Sequence, residues 1–136
     1  MGAFMPAEIA YLDSQMLGRL ATTGPKGHPH VVPVGYRYNL EADAIDIGGH
    51  RFAVSREFRD IQRQPWVAFV VDDIASTDPW RVRGVEVRGI AEVHADGGEA
   101  IRPGFDPEMV RIRPRRVVSW GLDGSGLRRD ARSVDQ

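Results

Sequence analysis

Two successive patterns of apolar residues organise the first part of the chain. Ile9, Leu12 and Leu17 follow Pro6 at helical spacing, and proline suits the first turn of a helix, so a helix is predicted over residues 7–17. The apolar period then changes to two, and β-branched and aromatic residues become frequent. This alternation predicts strands over residues 19–23, 28–38 and 44–48. Short connections, including the turn Gly-Pro-Lys-Gly, favour an antiparallel meander.

The second part of the chain begins with another helical segment. Ser55 is a suitable N-cap and Pro65 stops the segment, which predicts a helix over residues 55–64. Residues 72–79 and 97–107 are rich in polar residues, glycine or proline and are predicted to be loops. The remaining apolar segments predict strands over residues 66–71, 83–94, 109–113 and 116–121.

The order of these elements predicts the fold class. Six or seven short antiparallel strands with two small helices indicate a mainly β protein built as a closed or nearly closed barrel. A length of 136 residues fits one domain over residues 1–136, with residues 1–6 and 123–136 as loose termini. Because so small a domain buries a limited share of its surface, a homodimer interface would add stability.

Composition narrows the classes of function. The formal net charge of −1 provides no field that would attract nucleic acid or an anionic membrane. The absence of cysteine excludes thiolate catalysis and cysteine-held metal sites. No apolar run approaches the ~18 residues of a membrane span, and no signal-peptide pattern is present. We therefore expect a cytoplasmic protein without nucleic-acid or membrane partners.

Three histidines raise the question of a metal site. His28 and His30 are two residues apart on one predicted strand, and His50 follows the next strand. Three histidines are able to hold zinc. However, no acidic residue stands at matching spacing, and His28 adjoins a turn where a solvated histidine is common. The sequence therefore predicts no metal.

The segment before the second helix contains the most informative cluster. Gly48 and Gly49 would let a ligand approach the backbone closely. Ser55, Arg56 and Arg59 lie at the start of the helix, where a hydroxyl, backbone amides and guanidinium groups favour a phosphate. The alternative is that the arginines are only solvated and Ser55 is only a cap. Both interpretations remain open at this point.

Trp120 ends the last predicted strand. A tryptophan at a strand end is able to stack on a planar heterocycle. Core or interface packing is the commoner role of such a residue.

The order of the motifs resembles the pyridoxamine 5′-phosphate oxidase-like superfamily. The similarity covers about residues 12–120, and within the superfamily the chain looks most like the small enzymes that use the deazaflavin coenzyme F-420. The segments that carry it are Gly-Arg-Leu-Ala-Thr, Gly-His-Pro-His-Val-Val-Pro-Val, Ile-Asp-Ile-Gly-Gly-His, Ser-Arg-Glu-Phe-Arg-Asp-Ile, Val-Ala-Phe-Val-Val-Asp-Asp, Val-Glu-Val-Arg-Gly-Ile-Ala-Glu and Arg-Arg-Val-Val-Ser-Trp-Gly.

The resemblance implies a split β-barrel, a homodimer, and a coenzyme groove shared by both subunits. It implies that the coenzyme is F-420, with FMN as the alternative, and that a hydride passes to an electron-poor small molecule, with no catalytic acid or base assigned. It implies that Trp120 closes the pocket from the partner subunit. The other expected coenzyme-binding residues are His30, Val32, Pro33, Gly48, Gly49, Ser55, Arg56 and Arg59.

Two departures from the oxidase pattern favour the deazaflavin branch. The flavin oxidases carry a Ser-Arg-Lys motif before the helix, whereas here Glu57 stands in place of the lysine. His30 stands in place of an arginine of those oxidases. Two alternatives remain: an FMN-dependent oxidase or flavin reductase, and a non-catalytic carrier of a flavin, haem or biliverdin, since a fold does not determine a function.

Overall fold

The computed structural model describes residues 2–123 and 129–135. Its two helices have nine and eight residues, and no helix in this part of the chain is long and apolar enough to cross a membrane. The elements in chain order are α1 (Pro6–Ser14), β1 (Leu17–Thr23), β2 (Pro29–Asn39), β3 (Ala44–Gly48), α2 (Arg56–Arg63), β4 (Trp66–Thr77), β5 (Trp80–His94), β6 (Met109–Trp120) and β7 (Arg129–Ser133).

Six of the strands close into a ring. Strand β1 pairs with β2 and β4, β3 pairs with β2 and β6, and β5 joins β4 to β6, all antiparallel. The first half of β6 pairs with β3, but its second half pairs with β7 instead. The barrel is therefore split along β6. The predicted mainly β split barrel with two short helices is confirmed.

The core fills the inside of this ring. Alternate residues of the strands point inward, as the period of two predicted. The ring of Phe69 is 1% exposed and meets Tyr36 edge to face, with 5.3 Å between ring centroids. On the inner side of α2, Phe58 and Ile61 are also buried. The barrel thereby holds the start of α2 beside the ends of β2 and β3.

Strand β6 corrects the prediction of two strands over residues 109–113 and 116–121. It is one strand with a bulge: Gly89 pairs with Pro114 and Arg88 with Arg116, which leaves Arg115 as the extra residue. Pro114 has no backbone N–H to donate to a neighbouring strand, which is why the sequence pattern predicted a break at this position. A strand accommodates such a proline at a bulge.

The predicted loop over residues 72–79 is wrong for most of its length. Strand β4 continues to Thr77, and its partner β5 already begins at Trp80. Within this extension Asp73 is held by Arg83, at 2.8 and 3.0 Å between oxygen and nitrogen atoms, and by the Tyr11 hydroxyl. The hairpin projects polar residues such as Asp72 into solvent, so its composition is that of a loop although its backbone is paired.

The prediction of loose termini is also wrong for the described terminal residues. Ala3 and Phe4 are each only 5% exposed, and β7 pairs with β6. Arg132 of β7 donates hydrogen bonds to the fully buried carboxylate of Glu8 on α1. The two ends of the chain are therefore joined by a buried ion pair; residues 124–128 lie outside the described residues.

Candidate functional site

Helix α2 begins at a capped N-terminus on the surface. The Ser55 Oγ accepts a hydrogen bond from the Phe58 amide at 3.2 Å and donates one to the Phe52 carbonyl at 2.6 Å. Ser55 is thus an N-cap, as predicted. The first amides of a helix lack carbonyl partners within it and carry partial positive charge, so this end favours an anion.

One cavity lies between this helix end and the strands β2 and β3. We call it the glycine cavity; its volume is about 230 Å³. A side chain at Gly48 would meet Phe105 at 3.0 Å, whereas one at Gly49 would meet nothing within 4 Å. Gly48 therefore makes room for a loop, and Gly49 leaves backbone open to a ligand. The lining of the glycine cavity includes Pro33, Gly48, Gly49, Ser55, Glu57 and Phe105.

A second cavity lies on the other side of the helix start. We call it the arginine cavity; its volume is about 320 Å³. Arg56 and Arg59 are exposed, and neither forms an ion pair with any residue in 2–123 or 129–135. Arg63 lies 3.9 Å from the buried carboxylate of Asp60. The charges of Arg56 and Arg59 are thus available to an anion. The lining of the arginine cavity includes His28, His30, Arg56, Arg59, Asp60 and Arg63.

His30 and Glu57 separate the two cavities. His30 lines the arginine cavity and Glu57 the glycine cavity, with 3.6 Å between Nε2 and Oε1. Within the described residues, His30 Nε2 is buried and has no hydrogen-bond partner. A buried polar atom without a partner is unfavourable, and a ligand or water that enters here would satisfy it. The carboxylate of Glu57 makes this boundary acidic.

The predicted site residues divide into three groups. Seven of them line the two cavities: His30, Pro33, Gly48, Gly49, Ser55, Arg56 and Arg59. Val32 is not among the residues that line either cavity, and its partly buried side chain packs against the core. Trp120 lies in a different cavity of the subunit, where its ring covers Gly84 and contacts Arg129. Its expected contribution from a partner subunit stays a prediction.

The three histidines of the metal hypothesis divide between the cavities. His28 and His30 line the arginine cavity, and His50 lines the glycine cavity. Across residues 2–123 and 129–135, no three histidine, aspartate or glutamate side chains are grouped to hold a metal ion.

Sequence reasoning predicted the loop between β5 and β6 but missed its contribution to the site. Phe105 of this loop lines the glycine cavity and meets His50 edge to face, with 5.5 Å between ring centroids. The only signal for it was a lone aromatic residue within a long segment rich in glycine and proline. The spacing along the chain gave no indication that this segment folds back onto β3.

The structure is thus a split barrel with a helix N-terminus between two surface cavities, an arrangement that favours an anion. The sequence pattern of the family described as pyridoxamine 5′-phosphate oxidase matches residues 5–120. Since that match covers most of the chain, the protein belongs to the pyridoxamine 5′-phosphate oxidase family. The resemblance found from the sequence is confirmed.

A related enzyme narrows the class of activity. The 5a,11a-dehydrotetracycline/5a,11a-dehydrooxytetracycline reductase of Streptomyces rimosus is 46% identical over 121 residues, which cover 89% of this chain and 85% of that enzyme. Identity at this level over nearly the whole chain identifies the protein as an oxidoreductase, and as a reductase of this family. The predicted enzyme class is confirmed.

Two solved structures have the same fold. An FAD-binding protein from Mycobacterium smegmatis superposes with a TM-score of 0.66 at 20% identity, covering 97% of this chain and all of that chain. An F-420 reductase superposes with a TM-score of 0.64 at 22% identity, covering 84% of this chain and 98% of that chain. At these identities the similarity extends to the fold alone.

Proposed function

We propose that the protein is a reductase that uses the deazaflavin coenzyme F-420 and transfers a hydride to a conjugated carbonyl compound. The observation that supports it most is the position of Glu57. Its carboxylate lines the glycine cavity next to the start of α2, while Arg56 and Arg59, which form no ion pair within the described residues, line the neighbouring cavity. Such a site disfavours a doubly charged phosphate at the helix start and favours negative charge spread along the surface.

The residues present fit a ligand of this kind. The N-terminus of α2, capped by Ser55, and the guanidinium of Arg56 would hold a phosphodiester. The open backbone at Gly49 would lie against the ring system, together with Pro33. Arg59 and Arg63 would meet an acidic tail. His30 Nε2, buried and without a partner in the described structure, is a polar atom that the bound coenzyme or its water would satisfy.

The chemistry follows from the bound coenzyme and its acceptor. When bound, a reduced deazaflavin supplies a hydride from its central ring carbon; the protein supplies binding, orientation and electrostatics. The relative from Streptomyces rimosus is named for its action on dehydrotetracyclines, which are multi-ring compounds. We infer a multi-ring conjugated carbonyl compound as the acceptor here. No side chain is assigned as an acid or base.

The coenzyme preference tests this proposal. We expect wild-type protein to bind F-420 about tenfold or more tightly than FMN, a difference of about 1.4 kcal/mol. Glu57→Lys should narrow the gap by strengthening FMN binding, because it replaces like-charge repulsion with attraction. Glu57→Gln is the matched control, since it removes the charge without adding one, and should fall between the two. Fluorescence titration of both coenzymes against the three proteins measures all six affinities.

The alternative of an FMN enzyme makes the opposite prediction. If wild-type protein binds FMN as tightly as F-420, or more tightly, the deazaflavin assignment is wrong. A protein that binds a flavin or haem but reduces no acceptor would instead support the carrier alternative.

We also propose that the functional unit is a homodimer. Each cavity is near or below the lower end of the ~300–1,000 Å³ that is usual for ligand pockets, so a second surface would complete the site. Apolar side chains are exposed on the outer face of the sheet, where alternate residues share one side: Leu17 at 57%, Val31 at 64% and Trp66 at 53%. A second copy of the chain would cover these side chains.

Sedimentation at micromolar concentration should therefore give twice the subunit mass of 15.1 kDa. Val31→Asp should shift the protein toward monomer, because it places a charge within the apolar face. Leu40→Asp is a suitable control, since Leu40 is 75% exposed in the β2–β3 turn. A wild-type monomer that binds coenzyme with full affinity would exclude the shared groove.

A further inference from the structure

The loop between β5 and β6 is fixed to the strand–helix connection that forms the candidate site. The backbone N–H of Asp106 donates to the Gly49 carbonyl at 2.9 Å. The backbone N–H of Arg51 in turn donates to Asp106 Oδ2 at 2.6 Å. Farther back in the loop, the Arg102 guanidinium donates to the Met16 carbonyl at 2.9 Å. These bonds hold the loop in one position beside the glycine cavity.

This loop presents the ring of Phe105 to the glycine cavity. The ring lies on two strand glycines: a Cβ placed at Gly35 would be 2.8 Å from it, and one at Gly48 would be 3.0 Å from it. His50 supports the ring from another side as an edge-to-face pair. Glycines at these two positions therefore allow an aromatic side chain to pack closely against the sheet.

Phe105 differs from the other phenylalanine that lines this cavity. Phe52 is 3% exposed and packs against Phe58, with 5.4 Å between ring centroids, so its ring is already covered by protein. Phe105 is only partly buried. Part of its ring is thus available to a ligand, and a fixed aromatic face favours a planar ring system.

We propose that Phe105 determines the acceptor specificity of the reductase by packing against the fused rings of a multi-ring acceptor. This inference rests on the proposed function. The coenzyme contacts proposed above involve Pro33 within β2, Gly49 directly after β3 and Ser55 at the start of α2. Phe105 instead belongs to a loop, and residues that distinguish substrates lie disproportionately on loops held by a rigid scaffold.

The test uses Phe105→Leu, which keeps an apolar cover over the two glycines but removes the aromatic face. The first measurement is the affinity of coenzyme-free protein for tetracycline, a fluorescent four-ring compound. We expect Phe105→Leu to weaken it about three- to tenfold, the range that an aromatic contact contributes. The second measurement, with F-420 bound, compares KM for a multi-ring acceptor with KM for cyclohexenone. Only the KM for the multi-ring acceptor should rise. The affinity of the variant for F-420 should stay within about twofold of the wild-type value.

Ile101→Val is the matched control. Ile101 belongs to the same loop and also covers Gly48, where a Cβ would lie 3.1 Å from its side chain, but it has no aromatic face. Unchanged tetracycline affinity in Phe105→Leu, or an equal loss in Ile101→Val, would overturn the proposal. So would a loss of F-420 affinity with unchanged acceptor binding, because Phe105 would then contact the coenzyme. Failure of wild-type protein to bind F-420 refutes the proposed function separately, since the tetracycline measurement does not depend on it.

Discussion

Arg56→Ala is expected to weaken coenzyme binding by about 1.5 kcal/mol or more, the lower part of the range for a hydrogen bond to a charged group. Arg56 is the first residue of α2, where its guanidinium and the helix amides would act on the same anion. No residue in the described parts of the chain pairs with it, so its charge is not already neutralised. Fluorescence titration at low salt measures the loss.

Salt and a second arginine provide the controls for this experiment. Because Arg56 is exposed, the difference between wild type and variant should shrink as salt is raised. Arg63→Ala makes the same charge change in the same helix, but Arg63 lies at its other end and close to Asp60. It should lose less than half as much affinity. Wild-type affinity in Arg56→Ala at low salt would mean that the phosphate binds elsewhere.

Glu8→Gln should lower the free energy of unfolding at pH 7 by about 3 kcal/mol, the lower end of the range for breaking a buried ion pair. The Glu8 carboxylate is fully buried and accepts hydrogen bonds from Arg132, Ser119 and the Met5 amide. The lower end of this range applies because the Arg132 side chain is 27% exposed, so water partly solvates its charge when Glu8 is replaced. Glu41→Gln changes the same group at an exposed position and should stay within about 0.5 kcal/mol of wild type.

The same pair predicts how stability depends on pH. Burial by itself would raise the pKa of Glu8, but hydrogen bonds from Arg132, Ser119 and the Met5 amide outweigh it and hold the pKa below its usual value. A carboxyl group with a lowered pKa in the folded state stabilises fully above its unfolded pKa, about 4.3, and loses this contribution as the pH falls through the folded pKa.

Urea unfolding at one protein concentration, repeated from pH 7 to pH 3, measures this dependence. The difference in stability between wild type and Glu8→Gln should be largest near neutral pH and should shrink below about pH 4.3. A difference that is the same at pH 7 and pH 3 would show that the Glu8 carboxylate does not act through its charge.

Local patterns were sufficient for most of the fold. The period of two in β1 to β3, the Ser55 cap and the stop at Pro65 depend on neighbours within a few residues, and the structure has these elements within about two residues of the prediction. The predictions failed for strands that are held by backbone pairing with a neighbour rather than by burial of their side chains. The Asp72–Thr77 part of β4 is a strand because β5 pairs with it, although most of its side chains are exposed. Strand β7 forms because the second half of β6 does not pair with β3.

The site was predictable only in part, for a similar reason. Glycines, a capping serine and two arginines within twelve residues of the chain predicted an anion site at the start of α2, because these residues act through local backbone geometry. The partner of Glu57 was not identifiable, since Glu57 is on α2 and His30 is far away in the sequence, on β2. Phe105 reaches the glycine cavity only because its loop is bonded to Gly49 and Arg51.

The sequence by itself determined that this protein is a mainly β barrel with an anion-favouring helix start, and its motifs were enough to indicate the family. Tertiary structure alone decided which residues share a cavity. It separated Trp120 from the other predicted residues within one subunit, joined the two chain ends through Glu8 and Arg132, and placed Phe105 over Gly35 and Gly48. The physical reason is distance along the chain: periodicity and capping are short-range, whereas these contacts exist only once the barrel has closed.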